Sequence, residues 1–352
     1  MIFGKKDNLI GLDIGSSFIK VADIKVTGNG QHVLQKFGMS KIAPGTIAGG
    51  RIIDIDALAN DIKTLLKSQK IRKKNVAIST GGHSIVIKTI NIPNKPQKEL
   101  YDIILSQAEQ YIPYDIDDVN IDYQILGQSE FSPDQVNVLI VAVKKDIVAE
   151  YIDLIHMAGL NPGIIDVDMF AFRNTYEILS YKNKEKVTLL VDAGTSKTSL
   201  NILTSNTSLM MRNNVPGINQ IIEEICNHYD ITVDEAYQSM DGKNNTIDQD
   251  KIQAISLKIA QALCSEICEV INTFQSETID RKVENIILSG GGVFIKGLKQ
   301  SFLSELEADV SIINPFKALI VNKQRFPDSF IDRAGPLAPI AIGLALRRVD
   351  DK

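Results

Sequence analysis

Gly11-Leu12-Asp13-Ile14-Gly15-Ser16-Ser17-Phe18-Ile19-Lys20 and, half a chain later, Leu190-Val191-Asp192-Ala193-Gly194-Thr195-Ser196-Lys197-Thr198-Ser199 carry one pattern. Each is an apolar strand, an Asp, one further residue, a Gly and two hydroxyls. A third cluster, Ser289-Gly290-Gly291-Gly292, follows a strand-like run over 283–288, and glycine there lets backbone approach a flat ligand where any Cβ would collide. A lone Asp-x-Gly at a strand end is most often only a tight turn. Two copies in register with a triple glycine reverse that reading, and the chain is expected to be a duplicated α/β protein with a clamp between its halves.

Bulk properties agree with a two-part chain. At 352 residues it exceeds the usual size of one core, so two domains are expected. The 38 basic residues against 43 acidic, with no long basic run, argue against a nucleic-acid partner. No apolar stretch approaches the ~20 residues of a membrane span, and residues 1–8 lack the core of a secretory signal, so a cytoplasmic location is expected. Cys226, Cys264 and Cys268 have no paired CxxC spacing and read as reduced core thiols.

Hydrophobic periodicity divides the chain further. The first domain is expected over 1–84, with a helix at 54–66, and returns over 161–186. Between lies a βαββα insertion over 85–160: a strand at 85–92, a helix at 97–112, strands at 120–126 and 136–143, and a closing helix at 146–158. The polar link at 181–186 marks the main boundary. The second domain opens over 187–215, carries a helical insertion over 216–282, and returns over 283–352 with a closing C-terminal helix. Within that insertion, Thr232-Val233-Asp234-Glu235 reads as a capping box. Ile252, Ile255, Ile259, Leu263, Ile267, Val270 and Phe274 read as one long amphipathic helix.

The residue types in the repeated pattern predict what the clamp holds. Gly15 and Gly194 fold the turns tightly, while backbone N–H groups and the hydroxyls of Ser16, Ser17, Thr195 and Ser196 hold phosphate oxygens. Asp13 and Asp192 would face each other across a hydrated Mg2+, which binds through one or two carboxylates and keeps several waters. Lys20 extends a point charge to the phosphates, and Thr198 closes the opposite side. Gly290, Gly291, Gly292 and the adjoining Val293 would take the adenosine. With no Walker GxxxxGK[ST] and no GxGxxG present, ATP with Mg2+ in a two-domain pincer is the expectation. Phosphoryl transfer also needs a residue that positions the attacking group. Asp166 and Asp168 are candidates, yet either can cap the helix starting near Met169, and capping is the preferred reading. At most a slow ATPase is therefore expected.

At these segments the chain resembles the actin-like ATPase superfamily. The βαββα insertion is similar to the extra subdomain of FtsA. Gln107-Ala108-Glu109-Gln110-Tyr111-Ile112-Pro113-Tyr114, Asn120-Ile121-Asp122-Tyr123-Gln124, Asp166-Val167-Asp168-Met169-Phe170-Ala171 and Asn314-Pro315-Phe316 narrow the resemblance to the PilM family of type IV pilus assembly. The resemblance implies duplicated actin-like/RNase H-like domains with an FtsA-like insertion, ATP and Mg2+ binding, and a ribose contact from Glu223. It implies capture of the cytoplasmic N-terminal peptide of PilN, a link from the inner-membrane alignment complex to the motor ATPases, and a place on the cytoplasmic face of the inner membrane held only by that partner. Self-association stays open. The chain departs from the family at Pro216-Gly217-Ile218-Asn219, where two glycines are usual, and at Ala236-Tyr237-Gln238-Ser239-Met240, where Glu and Lys are usual. Two other readings remain: a small-molecule phosphotransferase of the same superfamily, and an FtsA-like filament that tethers partners to membrane. The chain's stop at Asp350-Asp351-Lys352, directly after its last core helix, counts against the tether. The junction between the insertion and the first domain is the expected peptide groove, with Tyr111, Pro113 and Tyr114 as contacts.

Overall fold

Residues 9–14 are apolar except at Gly11 and Asp13, the composition of a strand buried on both faces. A computed structural model of the protein describes residues 9–82, 85–129, 132–179, 185–205, 207–233, 235–236, 248–278 and 281–349. In it this run is β1 (Ile10–Ile14), followed by β2 (Phe18–Val26), β3 (His32–Lys41), a small ribbon of β4 (Ile47–Ala48) and β5 (Arg51–Ile52), α1 (Ile55–Ser68) and β6 (Asn75–Thr80). Then come β7 (Ile85–Pro93), α2 (Gln97–Ala108), β8 (Val119–Gln128), β9 (Gln135–Lys144), α3 (Lys145–Met157), β10 (Asn161–Val167) and α4 (Asp168–Leu179). The second half runs β11 (Thr188–Ala193), β12 (Lys197–Thr204), β13 (Thr207–Pro216), α5 (Asn219–Tyr229), α6 (Gln249–Glu277), β14 (Asn285–Ser289), α7 (Leu298–Glu305), β15 (Asp309–Ile312), α8 (Asp328–Ala334) and α9 (Pro339–Ala345).

The two halves share one topology. The first sheet is ordered β10-β6-β1-β2-β3 and the second β15-β14-β11-β12-β13. In each, three antiparallel strands come first in sequence, and the last two strands lie parallel to the first. The duplication expected from the repeated hairpin is thus a duplication of whole sheets.

Four features depart from the sequence reading. α2 ends at Ala108, not 112: the chain goes on in tighter turns, Gln110 N–H donating to the Gln107 carbonyl and Tyr111 N–H to the Ala108 carbonyl, and Pro113 disfavours helical backbone at Ile112. α3 does not close the insertion: Ile147, Tyr151, Leu154 and Ile155 are buried with Leu12, Leu58, Ile62 and Val76 in the first lobe's core. A parallel crossover from β6 to β10 needs a helix on the sheet face, and α3 is that helix. The insertion proper is the sheet β7-β9-β8 with α2, built on Ile92, Leu100, Ile104, Val138 and Ile140. A further strand, β13, continues the second sheet where the polar Asn213 and Asn214 interrupt the apolar alternation by which strands are read. The fourth concerns α9, which packs into the first lobe although the chain reaches it from the second. A Cβ on Gly343 would stand 1.7 Å from the carbonyl oxygen of Ala171, so α9 meets α4 at backbone distance.

The capping box is present: Thr232 N–H donates to Glu235 Oε2 at 2.8 Å and Glu235 N–H to Thr232 Oγ1 at 3.3 Å. Most of the polar link, Asp234, the segment 237–240 and the tail 350–352 lie outside the described residues.

Candidate functional site

Both sheets point the same end of their first strand at one cleft. β1 ends beside Asp13 and β11 beside Asp192, and the turns that follow meet across the lobes, Ser17 Oγ donating to Thr195 Oγ1 at 2.9 Å. Between them lies a cavity of ≈ 320 Å³. Asp13, Gly15, Ser16, Ser17, Lys20, Asp192, Gly194, Thr195, Ser196, Gly290 and Gly291 all line it, and so does Asp168. The amides of Gly15 and Gly194 are used within the turns, donating to Phe18 and Lys197 carbonyls. Gly290 has φ +84°, and a Cβ there would stand 2.4 Å from the Ala193 carbonyl oxygen and 2.8 Å from Asp192 Oδ1. Only glycine leaves that space beside the carboxylate open.

Burial governs the charges. It raises the Asp13 carboxyl above its ordinary range, even though Lys20 Nζ donates to Asp13 Oδ2 at 2.8 Å from the directly opposed position on β2. Burial alone would lower Lys20, but Asp13 outweighs it and holds the ammonium charged. Asp192 is pushed up to about 6, first by burial and further by the negative charges of Asp13 and Asp168, with Lys20 opposing. No hydrogen bond or ion pair reaches its carboxylate among the described residues. Burial would raise Asp168 too, yet Lys197 and Ser79 hold it below its ordinary range.

Such a site presents buried negative charge at its floor and hydroxyl donors at its rim. Among the described residues no group of three or more ligating side chains is close enough to hold a bare metal ion. Two carboxylates, one without a partner, fit a divalent cation that keeps its water shell.

Four expected residues stand elsewhere. Thr198 is fully buried and donates to the Pro216 carbonyl at 2.9 Å. It opposes Ala193 on the hairpin, whereas Ser199 opposes Asp192, so the two-residue strand period turns Thr198 to the other face. Gly292 is a packing glycine, its Cβ position 2.6 Å from Ala193 Cβ, and Val293 packs on the second lobe's core. Glu223 lies exposed on α5, one turn past Asn219, which does line the cavity.

The capping reading of Asp168 is overturned. Its carboxylate faces the cleft, where Ser79 Oγ donates to Oδ1 at 2.7 Å and Lys197 Nζ to Oδ2 at 2.8 Å. Asp166 instead pairs with Arg347 Nε at 3.2 Å. Sequence reading also passed over Lys197, Ser79, Tyr151 and Asn219. Lys197 stood inside the quoted repeat and was visible there, while Tyr151 was hidden in the apolar stripe of a helix assigned to the insertion. The three cysteines are free thiols, Cys264 Sγ 4.0 Å from Cys268 Sγ and its pKa pushed up to about 12, mainly by burial.

The family model for the type IV pilus assembly protein PilM matches residues 11–349. The chain belongs to the PilM family. A solved PilM-PilN type IV pilus biogenesis complex contains a chain 26% identical to this one, covering 99% of this chain and 100% of that one with a TM-score of 0.88. The ethanolamine utilization protein EutJ from Carboxydothermus hydrogenoformans is 12% identical, with 98% and 93% covered and a TM-score of 0.55. A diol dehydratase-reactivating factor in nucleotide-free form is 8% identical, with 96% and 99% covered and a TM-score of 0.56. The last two share the fold alone. The fold of this PilM-family chain is thus the duplicated actin-like one, and its role lies in pilus assembly. No helix among the described residues is long and apolar enough to cross a membrane.

Proposed function

We propose that this PilM-family protein is a nucleotide-clamped scaffold of type IV pilus assembly. MgATP lies between the lobes, and the shape it fixes captures the N-terminal cytoplasmic peptide of PilN, linking the inner-membrane alignment complex to the motor. The carrying observation is the meeting of the two hairpin turns over one cavity, Ser17 on Thr195, with Asp13 and Asp192 at its floor. The turns offer phosphate donors; Asp13 and Asp192 hold the hydrated Mg2+ that neutralises the phosphates. Hydrolysis is slow, because Asp168, whose Oδ1 accepts from Ser79 Oγ at 2.7 Å, is a weak base toward an attacking water. The same hydrogen bond disfavours the small-molecule phosphotransferase.

The peptide binds where the insertion meets the first lobe. Tyr111 is 43% exposed with the Lys88 ammonium 5.7 Å from its ring centroid, a looser contact than that of Lys144 with Tyr114 at 4.1 Å, and it is the better placed of the two to pack on a ligand. Anchorage on the cytoplasmic face of the inner membrane follows from PilN alone.

The test combines thermal unfolding with capture of a synthetic PilN N-terminal peptide. MgATP at 100 times its dissociation constant adds about 2.7 kcal/mol to the native state. Asp13→Ala and Asp192→Ala should lose that stabilisation, and peptide capture should strengthen with MgATP. Unaltered thermal shifts in both variants would sink the clamp, and capture indifferent to MgATP would sink the coupling.

A further inference from the structure

The duplicated hairpin breaks its own symmetry at one chemically decisive place. In the first copy the lysine is Lys20, seven residues after Asp13; in the second it is Lys197, five residues after Asp192, where the first copy has Phe18. A two-residue shift keeps a strand side chain on the same face and moves it about 6.7 Å toward the turn. Lys20 therefore stays with its own aspartate at the cleft floor, while Lys197 reaches out of its lobe. Its Nζ donates to Asp168 Oδ2 on the other lobe at 2.8 Å. The pair is largely buried, the two side chains 27% and 15% exposed. Room for it is built in: a Cβ on Gly81 would stand 2.1 Å from Lys197 Nζ and 2.2 Å from Asp168 Oδ2. Ser79 fixes the carboxylate from behind at 2.7 Å.

We infer that Lys197 is a specificity-determining residue that reads the terminal phosphate of a nucleoside triphosphate, and that Asp168 is its resting partner when no such phosphate is present. The inference rests on the nucleotide reading of the cleft. Lys197, Asp168 and the phosphate turns line the same cavity. The ammonium has one strong anionic partner there, and a terminal phosphate entering between the turns offers a second with more charge. Exchange of one for the other breaks a bridge between the lobes and makes a new one through the ligand. A diphosphate, ending one phosphate short, leaves the Lys197–Asp168 bridge in place. Triphosphate and diphosphate forms thereby hold the lobes through different contacts.

Calorimetric titration of the whole protein with MgADP and with a non-hydrolysable MgATP analogue tests this. Lys197→Met keeps the apolar stem and removes the charge; it should cut the preference for the analogue over MgADP by at least about tenfold, the worth of one charge-assisted hydrogen bond. Lys197→Arg should retain the preference. Asp168→Asn frees the lysine and should raise analogue affinity, opposite in sign to Lys197→Met, which a merely structural pair would not do. If Lys197→Met binds both ligands with the wild-type ratio, the inference fails while the nucleotide reading stands. If the wild-type protein binds neither, both fail. The unliganded melting temperature of each variant separates lost binding from lost folding, and Asp168→Asn decides the matter should Lys197→Met not fold.

Discussion

Asp13 and Asp192 occupy equivalent ends of equivalent strands, yet their surroundings differ. Opposite Asp13 stands Lys20; opposite Asp192 stands Ser199, a buried hydroxyl. One carboxylate is neutralised by the fold itself and the other is left charged for something the cleft receives. Duplication gave both lobes the same backbone, and two side-chain differences divided the labour.

The sharpest way to break this contrast is Lys20→Met. It leaves Asp13 buried without its cation and should cost about 3 kcal/mol at neutral pH, measured by urea unfolding, with the loss shrinking as acid protonates the carboxyl. Ser199→Ala removes no charge, and an equal loss there would erase the distinction. Of similar size is Asp192→Asn. The folded-state pKa of about 6 lies above the ordinary value of 3.8, so ionisation of Asp192 destabilises the unliganded protein. The asparagine variant should gain about 3 kcal/mol, a gain that begins near pH 4, is complete above about pH 6, and is absent in stronger acid. A flat difference across that range would mean Asp192 is already paired.

Smaller effects sharpen the boundary of the site. Thr198→Val removes the bond to the Pro216 carbonyl and should cost about 1 kcal/mol of stability while leaving nucleotide affinity unchanged. Glu223→Ala should change stability by less than about 0.5 kcal/mol, as an exposed side chain does, and any tenfold loss of nucleotide affinity would restore its ribose contact.

The sequence disclosed the parts of the cleft that depend on local pattern. Asp-x-Gly-hydroxyl-hydroxyl dictates a strand, a tight turn and a return strand, and those residues reached the cavity. It concealed what depends on pleat and long-range packing. Thr198 and Lys197 are neighbours of equal promise in a string, but the strand period sends one inward to a carbonyl and the other across the cleft. Asp168 at a helix start invites a capping reading, and only the arrival of Lys197 from the other lobe gives it a different partner. Likewise α3 follows the insertion directly in sequence, although its apolar face belongs to the sheet that the insertion interrupts.

The seat of α9 also bears on how the chain acquires its shape during synthesis. Gly11 of β1 is covered by Ala341 and Ala345, so β1 is sealed by α9, which follows it far along the chain. Until α9 is made, the first lobe has an open apolar seam along β1 and α4, and the second lobe has one too, its Leu190, Leu203 and Met211 clustering with Ile340 and Leu344. Vectorial synthesis thus completes neither lobe before α9 emerges. Closure of both depends on contacts between segments far apart in the chain, the slowest kind to form.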